Sequence, residues 1–195
     1  MCSISKIFEK LIYNRLLAYI NKNNIFYKLQ FGFRENHSPE LALTLLIDKI
    51  TSAIENNEYT IGIFIDFSKA FDTVNHSILL DKLYHYGVRG TPLNWFKSYL
   101  TERVPYIMYN DHKSNPLTIS CGVPQGSILG PLLFLLYIND IHSVSKLLYF
   151  VLFADDSNIL VSGPSLKDLI ETANSEINKA TDWFHANKIS LNLTN

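Results

Sequence analysis

Two short apolar runs that end in acid constrain this chain more than anything else in it. The first, Ile61-Gly62-Ile63-Phe64-Ile65-Asp66-Phe67, is rich in β-branched residues. It reads as a strand buried on both faces that delivers Asp66 at its end. The second, Tyr149 to Phe153 followed by Ala154-Asp155-Asp156-Ser157, reads as an apolar hairpin over 148–162 with two carboxylates at its tip. A strand end is a rigid mount for charge, because the sheet fixes the backbone while the terminal side chain reaches solvent. If the hairpin pairs beside the first strand, acids 89 residues apart in sequence meet on one rim. Between the two runs, Gly122-Val123-Pro124-Gln125-Gly126-Ser127 reads as a turn that opens a helix. Each segment alone has a plainer explanation, since Asp favours turns by bonding its own backbone. Their order together points to a site where acids hold divalent cations against a triphosphate.

Bulk properties fit that picture without demanding it. The chain has 195 residues, 47% apolar and 18% charged, enough for one domain with a substantial core. The net charge of −1 gives no general prompt toward nucleic acid. Its distribution is less even: residues 1–34 carry Lys6, Lys10, Arg15, Lys22, Lys28 and Arg34 against Glu9 alone, a net +5. A basic end and an acidic centre suit a nucleic-acid cleft that holds cations, although a solvated helix face would look the same. Cys2 and Cys121 make no disulfide framework, so a reducing compartment is expected, and no His or Cys spacing reads as a zinc site. The longest apolar stretch, Ile128 to Ile138, is about half the ~20 residues a membrane span needs and reads as a buried core helix.

Periodicity predicts helices over 4–21, from Ser38-Pro39-Glu40 to about Ile54, around 78–86, over 93–100, over 128–141 and over 166–187. The first should bury Ile4, Ile7, Phe8, Leu11, Leu16, Tyr19 and Ile20 on one side. Ser38 and Ser165 are the expected N-caps. Residues 30–34 read as irregular, 103–121 as a hairpin turning near Asn110-Asp111, and Ile189 to Leu193 as a last short strand. The order of elements indicates an α/β or α+β fold with one sheet carrying the acids.

These segments, taken in order, resemble the reverse transcriptase domain of non-long-terminal-repeat retrotransposons of the jockey-like kind, over nearly the whole chain. Ile4-Ser5-Lys6-Ile7-Phe8-Glu9-Lys10 looks like a fingers helix of the family, and Gln30-Phe31-Gly32-Phe33-Arg34 with Ser38 like the next fingers motif. Asp66-Phe67-Ser68-Lys69-Ala70-Phe71-Asp72 with Val74 and His76 is similar to the first palm motif. Gly122 to Ser127 with Leu129-Gly130-Pro131 matches the second, and Phe153-Ala154-Asp155-Asp156 the third, with Phe where many members have Tyr. Asn187-Lys188-Ile189-Ser190-Leu191-Asn192 looks like the start of the fourth.

The resemblance implies a right-hand polymerase: fingers over about 1–60, and a palm with an antiparallel sheet over 61–195, interrupted by fingers segments near 90–120. It implies an RNA-directed DNA polymerase that extends a DNA primer on an RNA template from dNTPs. Asp66, Asp155 and Asp156 would be the catalytic, metal-binding triad for two Mg²⁺ (Mn²⁺ as a substitute), with the Phe67 carbonyl as an extra ligand. Phe71 would be the ring that rejects a ribose 2′-hydroxyl, physically a filter that both clashes with the group and leaves it unsatisfied. Gln125 and Gly126 would line the nucleotide and template, and Arg34 would reach the triphosphate from the fingers or serve in a structural pair. His37, His76, His85, His112, His142 and His185 read as structural or surface residues. Thumb and endonuclease parts of the family are not represented, so the chain reads as an internal piece of a larger polyprotein. An inert remnant that binds nucleic acid weakly stands as the alternative, and an intron-encoded maturase as a third reading. The lifestyle of such elements implies the nucleus or a cytoplasmic ribonucleoprotein rather than secretion, with no membrane partner.

Overall fold

The computed structural model describes residues 3–67, 69–101, 108–109, 112–113, 119–124 and 126–190. At its centre is a three-stranded antiparallel sheet of β1 (Tyr59–Asp66), β4 (Tyr149–Phe153) and β5 (Asp156–Gly163), in the order β1-β5-β4. The register runs from Tyr59↔Gly163 to Asp66↔Asp156 on one side of β5, and from Tyr149↔Leu160 to Phe153↔Asp156 on the other. The two apolar runs thus do pair, and their acids share one end of the sheet.

One face of this sheet belongs to the main core. Ile61, Ile63 and Ile65 alternate with outward residues and meet Phe150, Leu152 and Ile159 in a cluster built on α6 (Leu129–Ile138) and α7 (Leu166–Ala186). The opposite face is covered chiefly over β4, where Val151 packs with Phe31 and with Ala42 of α2 (Pro39–Glu55). β1 lies at the sheet's edge, and its outer-face residues Gly62, Phe64 and Asp66 are exposed, Phe64 by 75%. The expectation that both faces of this strand are buried therefore fails. Its β-branched residues fill one face, and the apolar Phe64 on the other concealed the alternation.

Burial around α6 explains its sequence. Every residue from Leu129 to Ile138 except Pro131 is buried, as an all-round apolar helix requires. Its start is held from a distance: Glu9, 2% exposed, accepts from the Ile128 N–H at 2.8 Å and from the Tyr99 hydroxyl at 3.0 Å. A carboxylate there satisfies an orphan N–H and meets the positive end of the helix dipole. Glu9 lies on α1 (Ser3–Lys22), whose buried positions are Glu9, Leu16 and Ile20. Ile4, Ile7, Phe8, Leu11 and Tyr19 are exposed, so the predicted apolar face is only in part the buried one.

Ser38 and Ser165 cap as expected, accepting from Leu41 N–H and Asp168 N–H. The helix predicted at 78–86 starts earlier, as α4 (His76–His85) capped by Asn75, after a single turn α3 (Ala70–Thr73). α5 (Thr91–Thr101) follows. β2 (Met108–Tyr109) and β3 (His112–Lys113) pair antiparallel around positions 110–111, in line with the predicted hairpin; the rest of that hairpin and residues 191–193 of the last predicted strand lie outside the described residues. The helix expected to reach 141 stops at Ile138, and a 3₁₀ turn, Ile141–Val144, continues it. Asp140, just beyond, takes the Lys82 ammonium at 2.5 Å, which ties α4 to the end of α6. Among the described residues no helix is long and apolar enough to cross a membrane.

Residues 29–31, read from sequence as irregular, add a short parallel bridge to the free edge of β4. Leu152 N–H donates to Leu29 O at 2.9 Å, and Phe31 N–H to Leu152 O at 2.7 Å.

Candidate active site

The hairpin of β4 and β5 closes through two residues, Ala154 and Asp155, with Ala154 at φ 55°. Asp156 is the first residue of β5 and stands directly opposite Asp66, the last of β1. Opposed residues of an antiparallel pair point to one face with Cβ atoms about 4.5–5.5 Å apart. Asp155 is held beside them through its backbone, its carbonyl accepting from the Phe67 N–H at 3.3 Å. The Phe67 ring is buried between Phe134 and Phe184, so the residue after Asp66 anchors the rim in the core.

Two clefts flank this rim. One, about 440 Å³, is lined by Asp66, Asp156, Phe64 and Phe153 with Leu43 and Leu46 of α2. The other, about 420 Å³, is lined by Asp155, Phe71, Lys69, Pro124, Gly126 and Ser127. Phe71 is half-buried in the second, its ring 4.9 Å from that of Phe134 and 6.1 Å from that of Phe33. Gly126 is exposed at φ 73° with open space around it. Gln125 and Ser68 lie outside the described residues.

The turn before Gly126 is strung to the Phe71 segment by hydrogen bonds. Val123 N–H donates to Phe71 O and Gly122 N–H to Val74 O, both at 2.8 Å. Gly122 sits at φ 87°, where a Cβ would lie 3.1 Å from Asp72 O, so both conformation and space call for glycine. His76, buried, places Nε2 2.8 Å from Gly122 O; a carbonyl only accepts, so that nitrogen carries the proton. Its Nδ1 finds no partner among the described residues. His76, expected to be structural or at the surface, is thus a buried residue tied to the Gly122 loop. Lys69, at φ 50° and exposed in the cleft with Phe71, was not singled out by sequence reasoning, although it lies within the motif containing Asp66.

Arg34 is placed elsewhere. Its guanidinium donates to Gln30 O at 2.9 Å and Tyr27 O at 3.2 Å and lies over the Phe26 ring, and burial lowers its pKa. It lines a separate cleft with Lys28 and His142 and is not brought to the three acids.

Electrostatically the rim is crowded. The Asp156 acid is pushed up from the ordinary carboxylate range by burial first, then by the charges of Asp155 and Asp66. Among the described residues no three acid, imidazole or thiol groups converge as a ready-made cage. The donor set nonetheless fits a hard cation, being all oxygen and carrying repulsion that a divalent ion would relieve.

The family model described as "Reverse transcriptase (RNA-dependent DNA polymerase)" matches residues 1–194. The RNA-directed DNA polymerase from mobile element jockey of Drosophila melanogaster is 34% identical over 174 residues, 84% of this chain and 19% of that protein. A probable RNA-directed DNA polymerase from transposon X-element of the same fly is 32% identical over 197 residues, 97% of this chain and 21% of that one. The chain thus spans about a fifth of the length of these curated relatives. Among solved structures, apo telomerase from Candida tropicalis superposes with a TM-score of 0.69 at 10% identity, over 94% of this chain and 35% of the telomerase chain. At that identity the likeness concerns the fold alone, that of a right-hand polymerase.

Proposed function

This chain belongs to the reverse transcriptase family, and on that premise we propose that it carries the nucleotidyl-transfer site of a retrotransposon's RNA-directed DNA polymerase, with fingers over about 1–60 and palm over about 61–195. The observation that carries the reading is the meeting of Asp66, Asp155 and Asp156 at one end of the sheet, beside the cleft that holds Phe71. The reaction is attack of a primer 3′-hydroxyl on the α-phosphate of a dNTP, with pyrophosphate leaving, while RNA serves as template.

Asp66, Asp155 and Asp156, with the Phe67 carbonyl, would hold two divalent cations, Mg²⁺ by the hardness of the oxygen donors. Bound there, such ions supply charge neutralisation at the phosphoryl oxygens and lower the cost of deprotonating the hydroxyl. The chain's own part is positioning. The sheet register sets Asp66 against Asp156, the core-buried Phe67 fixes the rim, and the Phe67 N–H holds the Asp155 turn. Phe71 presents an apolar ring where a ribose 2′-hydroxyl would be left unsatisfied. Gly126 borders the same cleft as the nucleotide and template side of the site, and the resemblance gives Gln125 the same task. Lys69 places a cation at the mouth of that cleft, suited to a triphosphate.

The test is primer extension on an RNA template with Mg²⁺ and dNTPs, comparing the chain with Asp155→Ala. Extension by the chain and its loss in the variant, on the order of 10²–10³-fold or more, is the expected result. Equal extension by both would remove Asp155 from the site.

A further inference from the structure

The Ala154-Asp155 turn adopts a backbone conformation that a residue with a Cβ does not hold unaided. Ala154 sits at φ 55°, and left-handed non-glycine residues persist only where their surroundings over-determine them. On the β1 side the pin is the Phe67 N–H bond to Asp155 O. On the β4 side it is the segment 29–34, which bridges Leu152 through two backbone hydrogen bonds and then sets Gly32 against the turn itself.

That approach is closer than any side chain permits. A Cβ on Gly32 would lie 2.2 Å from Ala154 N, 2.7 Å from its Cα and 2.8 Å from its Cβ. The obstacle is mainly backbone, which cannot swing aside as a flexible side chain would. Gly32 itself is not in the left-handed region, so glycine is required here for space and not for conformation.

Gly32 is in turn held in place. Its N–H donates to the Gln30 side-chain carbonyl at 3.1 Å, and Gln30 is fully buried. Arg34 closes the loop from the other side by donating to Gln30 O and Tyr27 O. The neighbouring Phe33 ring meets Phe71 edge-on, so this segment reaches both the Ala154 turn and the ring that lines the second cleft.

We infer that Gly32 is a positioning residue for Asp155 and Asp156, seating the carboxylate turn by backbone-to-backbone contact, and that Arg34 acts one step behind it by holding the 27–30 loop. The inference rests on the reading of those aspartates as the reactive carboxylates, and it gives Arg34 a role that requires no contact with a nucleotide.

Hydrogen–deuterium exchange on the full chain, with Mn²⁺ affinity read by electron paramagnetic resonance, tests it in Gly32→Ala and Arg34→Ala. In Gly32→Ala, amides of 149–160 should exchange about tenfold faster or more, while 76–85 and 129–138 stay within about twofold of the parent. Mn²⁺ binding should weaken by about fivefold or more. Arg34→Ala, which adds no atom, should give the same local pattern at smaller amplitude, and it carries the test alone if Gly32→Ala fails to fold. Hairpin exchange unchanged in the folded variants, or acceleration spread evenly along the chain, would overturn the inference. Exchange reports opening and not catalysis, so this result stands or falls separately from primer extension.

Discussion

Asp156 faces solvent at the first position of β5, yet its acid is pushed up by burial and by two neighbouring carboxylates. The site therefore stores like-charge repulsion, as functional clusters often do at the expense of stability. Asp156→Asn should raise thermal stability slightly, by less than about 1 kcal/mol given solvent screening. Melting curves at low and high salt check this: the gain should shrink as salt rises, and a loss of stability would refute it. Primer extension should fall in the same variant. Phe71 yields a second prediction. Phe71→Val keeps an apolar group against Phe134 but shortens the ring, so ribonucleotide incorporation should rise relative to dNTP incorporation in the extension assay. Unchanged discrimination would take Phe71 out of the gate role. That the acids would share one end of the sheet was legible, because two apolar runs of strand type end in them; the roles proposed for them and for Phe71 rest on the family resemblance. The surroundings of Gly32, His76 and Lys69 were not legible, because each depends on a neighbour far away in sequence: Ala154 for Gly32, the Gly122 carbonyl for His76, and for Lys69 the cleft it shares with Pro124, Gly126 and Asp155.

Among the elements, starts were easier to read than faces. Ser38 and Ser165 announce α2 and α7 through local hydrogen bonds, and local chemistry is visible in sequence. Which stripe of α1 is buried depends on packing against α6, and there the apolar count misled: Glu9 is inside while Ile4 and Ile7 are outside. β1 misled in the same way, since a run of apolar residues does not reveal that the sheet ends beside it. Glu9 supplies the test at this scale. It connects α1 to α5 through Tyr99 and to the entry of α6 through Ile128. Glu9→Ala removes the charged acceptor of the part-buried Ile128 N–H and Tyr99 hydroxyl and should cost about 1.5–3 kcal/mol in urea denaturation, with Glu9→Gln recovering part of it. A cost within about 0.5 kcal/mol, the range of an ordinary surface change, would show the carboxylate to be dispensable.

At the scale of the whole molecule, long-range polar contacts join the N-terminal segments to the sheet and its helices, and several are made by half-buried phenols. The Tyr27 hydroxyl donates to Phe150 O at 3.0 Å, its N–H donates to the Asn139 side chain, and its ring stacks on His142 at 4.0 Å. Burial, then the nearby Tyr149, pushes its pKa up from 10.0 to about 12. Tyr86, whose hydroxyl donates to Leu136 O, and Tyr137 are likewise raised, chiefly by burial. A phenol whose folded pKa exceeds its unfolded one stabilises fully below pH 10, and that stabilisation is lost as pH climbs through the folded value. Lys82 and Arg34 act in the opposite sense, since burial lowers their pKa values, for Lys82 against the pull of Asp140, but the raised phenols, Tyr13 and Tyr149 included, outnumber them. Stability should thus be nearly flat from pH 7 to about 9.5 and fall steeply above it. Tyr27→Phe should sit about 1 kcal/mol lower on the plateau, for the lost hydrogen bond, and decline less steeply from pH 10 to about 12. Denaturant titrations across that range decide the matter: parallel slopes in the two proteins would show that the Tyr27 hydroxyl does not ionise on unfolding, and that the contact between the N-terminal segment and β4 is not what alkali breaks.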